Sequence, residues 1–247
     1  MGCDIHLYAE KRVDGAWVSA DTWTDDEYEP GRKKVAYSGR FYTGRNYDLF
    51  SILADVRNGV GFAGVKTGDG FVPMADPRGL PSDCSDAVRA ESDAWDADGH
   101  SHSSLTVAEI MAYDWTQTTR KSGWVDPVGW AEWKSSGAPN SWCGMISGGG
   151  VSFVPEKAFQ SAWVKVRDAA GYPEQRHASA HLRPLSSGKN PDLDAFVREL
   201  GDGSPYCEVE WGVSYVEAGQ EFLGRTLPRL WRLGAPEDVR VVFWFDN

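Results

Sequence analysis

Two short patterns in the sequence have the residue types and spacing for chemistry: Asp4-x-His6 near the start and His100-x-His102 further along. On an extended strand, residues two apart point to the same side, so each pair offers two side chains to one ion or phosphate. Three neutral imidazoles and one carboxylate suit a divalent metal such as zinc or manganese. Water bound to such an ion loses a proton near neutral pH and attacks an ester, phosphoester or amide. Asp98 and Glu10 are the candidate base or supporting carboxylates, and Asp96 could orient an imidazole. These residues predict a metal-dependent hydrolase acting on a phosphoester or related small, nucleotide-like substrate. The rival expectation is a non-catalytic binding protein that sequesters a host factor or a signalling nucleotide on an acidic, Trp-lined surface.

Other patterns carry weaker chemistry. His102-Ser103-Ser104 and His177-Ala178-Ser179 are similar to the paired His-x-Ser motifs of the 2H phosphoesterases, whose two imidazoles act as acid and base. Glu208-x-Glu210, taken with Arg45 and the Ser103-Ser104 pair, is faintly similar to elements of ADP-ribosyltransferases, but it also fits the wet face of a strand. Trp115, Trp124, Trp130, Trp133 and Trp142 crowd a short segment and could stack on a base or sugar, or simply fill a core. Arg45 and Trp115 are the candidate ligand contacts from these sets.

The elements that must position these residues follow from periodicity. Cys3 to Glu10 alternates apolar and polar residues and predicts a strand, with Asp14-Gly15 turning it into a hairpin. Leu49, Ile52, Leu53 and Val56 fall on one helical stripe, with Asn46 as cap and Gly59 as stop. Residues 59–104 predict a long loop-rich insertion. Thr106 to Glu109 is a capping box, and Asp126-Pro127, Pro155 and Asn190-Pro191 begin further helices. Cys207 to Tyr215 alternates as a strand, Phe222 to Leu233 is helical around Pro228, and Val239 to Phe245 is continuously apolar, as in a central strand. The expected fold is α+β: a single domain, residues 1–247, with a mixed sheet built from the N- and C-terminal strands, several short helices and long irregular loops.

Composition narrows the class. The chain has 247 residues, 36 acidic and 25 basic side chains, a net charge of −11 and 12 Trp. That acidity argues against binding a nucleic-acid backbone, while leaving a host protein partner open. No apolar stretch approaches the roughly 18 residues that cross a bilayer, so no membrane association is expected. The start lacks a basic segment followed by an apolar run, and the four cysteines lie far apart, so a cytoplasmic protein with free thiols is expected.

Five segments resemble an uncharacterised family of tailed bacteriophages and some bacteria. They are Gly2-Cys3-Asp4-Ile5-His6, Arg45-Asn46-Tyr47-Asp48-Leu49-Phe50, Arg78-Gly79-Leu80-Pro81, His100-Ser101-His102-Ser103 and Phe243-Trp244-Phe245-Asp246-Asn247. The resemblance implies a phage-type accessory protein and brings no catalytic residue with it.

Overall fold

The structure is a computed structural model that describes residues 2–186 and 188–246. Asn247, the last residue of the C-terminal segment named above, lies outside them. Alternation makes β1 (Ile5–Val13), and Asp14 and Gly15, at φ 51° and 83°, turn it into β2 (Ala16–Ser19). A small hairpin pairs β3 (Trp23–Asp25) with β4 (Lys33–Val35). Asn46 caps α1 (Tyr47–Ala54), accepting from the backbone N–H groups of Asp48 and Leu49 at 3.1 and 3.2 Å. The helix stops at Asp55, in the left-handed conformation, before the Gly59 that the sequence suggests.

The expected loop-rich insertion at 59–104 holds α2 (Asp86–Asp93) and much of β5 (His100–Thr106). The sequence hides α2 because it buries Val88 alongside the polar Glu91 and Ser92, which breaks the apolar stripe. Thr106 caps α3 (Val107–Ala112) through the expected capping box with Glu109. There follow β6 (Thr118–Val125), α4 (Pro127–Ser136), β7 (Val151–Phe153), α5 (Glu156–Ala169), α6 (Pro191–Leu200) and β8 (Ser204–Ser214). Two short helices, α7 (Tyr215–Ala218) and α8 (Leu227–Trp231), precede β9 (Val239–Phe245). A π turn over Phe222–Thr226 runs into α8, whose first turn holds Pro228, so the helical pattern of 222–233 is interrupted where proline requires it.

The fold is α+β, and the chain gathers into two compact units. One takes the chain through Asn58, Phe71–Gln117 and the chain from Ser214. Its sheet has the order β2-β1-β9-β5, with every pair antiparallel rather than mixed. The other unit takes Gly59–Gly70 and Thr118–Val213 and has a sheet of order β6-β8-β7, with β7 parallel to β8. β8 and β9 do not share a sheet, because β1 and β5 occupy both edges of β9.

All seven residues of β9 are buried, as its apolar run requires. Val239, Val241, Phe243 and Phe245 enter a large core with α1 and α3, while Val242 and Trp244 enter a smaller one with Tyr8, Val35 and Val88. The second unit packs Trp130, Phe159, Phe196 and Trp211 together. No helix among the described residues is long and apolar enough to cross a membrane.

Candidate functional site

The site grows from the C-terminal end of β9. Trp244 pairs in register with His6 on β1, and the ladder from β5 is broken between His100 and Ser103. At that break Ser101 takes φ 52°, a left-handed conformation unusual for serine. The break separates two histidines that a regular strand would keep on one side. His102 turns to Trp244, with ring centroids 5.4 Å apart at 20°, whereas His100 lies by Phe245 at 6.1 Å. Phe245 and Trp244 point to opposite faces, so these imidazoles do as well.

On the Trp244 face, His6 stacks at 5.9 Å and 19°, giving an imidazole–indole–imidazole row. Trp95 covers His6 with ring centroids 4.0 Å apart. Gly99 closes the corner: a Cβ there would come 3.1 Å from Trp95 Cβ and 3.4 Å from both His102 Cε1 and Trp244 Cδ1. Burial holds His6 below the ordinary imidazole pKa, against the pull of Asp246, whose Oδ2 lies 3.2 Å from Nε2. Asp246 Oδ1 accepts the Asp4 backbone N–H at 2.9 Å. Burial also lowers His102, and the neighbouring His100 lowers it further. Neutral near pH 7, His102 Nε2 lies 3.0 Å from Ser92 Oγ on α2.

The four expected metal ligands do not converge. His6 and His102 are two strands apart, about 9–10 Å, with an indole between them, whereas zinc–nitrogen bonds are about 2.0–2.1 Å. His100 is on the other face, and Asp4 gives its carboxylate side-on to Arg45, with Nε–Oδ1 at 2.7 Å. That guanidinium holds the Asp4 carboxyl below its usual range and occupies Arg45 in turn. Among the described residues no three His, Cys, Asp or Glu side chains are placed to hold a metal ion.

The expected bases are equally displaced. Glu10 is fully buried, with Oε1 accepting from Ser85 N at 2.6 Å and Oε2 from Arg240 Nε at 2.8 Å. A carboxylate so paired is a structural ion pair rather than a base. Asp98 is exposed in the turn Asp96–Asp98 and makes no hydrogen bond to an imidazole among the described residues. Trp115 packs on the large core, with Nε1 donating to Ile110 O at 3.0 Å and the ring against Gly219. Trp124 and Trp142 meet Phe153 and Trp211 edge-on at 5.1 Å, so the Trp-rich segment is largely packing. Glu208 and Glu210 lie on the exposed side of β8, and His177 belongs to the other unit from His102.

Sequence reasoning missed Ser92, Trp95 and Asp246 as partners of the histidines. Beside the stack opens a cleft of about 620 Å³ lined by Leu80, Ser92, Asp93, Asp96 and His102. The available signal was the set of five segments quoted above, whose described residues meet here. Arg45 holds Asp4, Asp246 holds His6, and Gly79 N donates to His102 O at 2.8 Å. No family model, curated protein or solved structure matches the chain. The geometry must therefore speak for itself.

Three polar atoms of this cluster are buried without a hydrogen-bond partner, His6 Nδ1, Trp95 Nε1 and Trp244 Nε1, and His100 Nε2 is in the same state on the other face. Each costs on the order of 1–3 kcal/mol where nothing answers it. Indole N–H groups only donate, so two of the three require an acceptor.

Proposed function

We propose that this protein binds a small molecule in the cleft over His102. The observation that carries the reading is the open cleft itself, where the Ser92–His102 pair and two carboxylates offer polar groups beside the aromatic stack. Asp93 and Asp96 line the cleft with Ser92 and His102, and its lining residues include no lysine or arginine, which favours a neutral or cationic molecule carrying hydroxyl or amide groups. A phosphoester is disfavoured here, because its charge would face two carboxylates without a metal ligand set between them. Capture of a small molecule fits the accessory role that the phage resemblance implies.

The test is nuclear magnetic resonance of the full chain during titration with a panel of small polyols, amides and amines. A ligand should move the indole N–H signals of Trp95 and Trp244 together with the His102 ring. Ser92→Ala, which removes a hydroxyl from the cleft wall, should weaken that ligand about tenfold. If every compound leaves those signals in place, the reading is wrong.

One observation favours a second reading. Ser92 Oγ and His102 Nε2, 3.0 Å apart, form a hydroxyl–imidazole contact of the kind that activates serine towards acyl groups without a metal. A fluorophosphonate probe should then label Ser92 in the native chain and not in His102→Gln. An unlabelled Ser92 leaves binding alone.

A further inference from the structure

The second unit holds a cleft that the reading above does not use. It measures about 510 Å³, inside the usual range for small-molecule sites. Val128 of α4, Leu193 and Val197 of α6, and Tyr206 of β8 give it apolar walls. Asp194 and Arg198 reach the same cleft from α6, and both are exposed. An acid four residues before a base is the favoured order for a helical ion pair, yet neither residue makes an ion pair among the described residues. Asp126 also lines the cleft, with Oδ1 capping α4 through Gly129 N–H at 2.8 Å. The rim thus offers one unpaired guanidinium and two carboxylates over an apolar floor.

We propose that this cleft binds a free α-amino acid with an aliphatic or aromatic side chain. Its carboxylate pairs with Arg198, its ammonium lies towards Asp126 and Asp194, and its side chain covers Val128, Leu193 and Val197. Other ligand classes match less well. An anion would face the two acids, a simple cation would leave Arg198 unanswered, and an uncharged apolar molecule would desolvate all three charges without pairing them.

The test is calorimetry on the full chain with L-leucine and L-phenylalanine, against leucinamide and N-acetyl-leucine. Each blocked compound lacks one charge and should bind at least about tenfold more weakly than the zwitterion. Arg198→Gln, at an exposed position, should keep the melting temperature and weaken L-leucine about tenfold, and the ligand-induced shifts of the Val128 and Val197 methyl signals should need about tenfold more ligand than in the parent chain. No saturable binding of either amino acid overturns the proposal. Equal binding of the blocked compounds, or undiminished binding to Arg198→Gln, overturns it as well.

Discussion

Replacing Asp21 with Asn should stabilise the protein at neutral pH. Asp21 follows β2 and leans back on β1, where its Oδ2 accepts the Ala9 N–H at 2.8 Å while its Oδ1 is buried without a partner. Burial pushes the carboxyl from 3.8 up to about 6, with Glu10 adding to the rise and the Ala9 N–H and Arg229 opposing it. The sign follows from proton binding. As pH rises from 3.8, the unfolded chain gives up this proton first and gains stability relative to the fold. The penalty grows to about pH 6 and then stays constant. A shift of that size corresponds to about 3 kcal/mol, and solvent at the half-buried side chain reduces it to about 1–2 kcal/mol. Asn keeps an oxygen for Ala9 and removes the charge, trading an unpartnered acceptor for an unpartnered donor. Urea unfolding followed by circular dichroism should therefore show Asp21→Asn about 1–2 kcal/mol more stable at pH 7.5. The gain should shrink markedly by pH 4.5. A gain that is absent at pH 7.5, or identical at both pH values, would refute the reasoning.

Three other outcomes follow from contacts described above. Arg240→Met leaves the buried Glu10 carboxylate with Ser85 N alone and should cost about 3–5 kcal/mol in urea unfolding, while adding Glu10→Gln should recover much of the loss. Gly99→Ala keeps a permitted backbone, since φ is −83°, but its methyl must displace Trp95; about 1–3 kcal/mol of stability should go, and the indole signals of Trp95 and Trp244 should move. His102 has a folded pKa below the ordinary 6.5, so the unfolded chain takes the proton first as pH falls. Melting temperature should then decline below about pH 6.5, and less steeply in His102→Gln.

The sequence declared those elements whose signals are local. The alternation of β1, the Asn46 cap, the Thr106–Glu109 capping box and the apolar run of β9 all depend on neighbours a few residues away, and each stands where those neighbours place it. Strand partnership is not local. Nothing in Cys207–Tyr215 says that it pairs away from β9, and Thr118–Val125, a mostly polar strand, gives little alternation to read. The histidine patterns drew attention to the right end of the sheet, yet the four residues do not converge: Trp244 stands between His6 and His102, Arg45 takes Asp4, and His100 turns away. Ser101 at positive φ flips the chain between His100 and His102, and no spacing rule contains that turn. Ser92 and the Trp95 that follows its helix were silent because that helix buries too little apolar surface to show a stripe.

The place of β9 between β1 and β5 also sets an order of events when the chain is made. Glu10 and Arg240 meet across 230 residues, so the hairpin of β1 and β2 must wait with an open apolar edge until β9 emerges. At about 5–20 residues per second of synthesis, that wait is roughly 10–50 s. The strands of the second unit have all emerged before β9, and that unit can close first. The unit with the His102 cleft is thus the later to mature, and its waiting edge is the part of the nascent chain most in need of a chaperone.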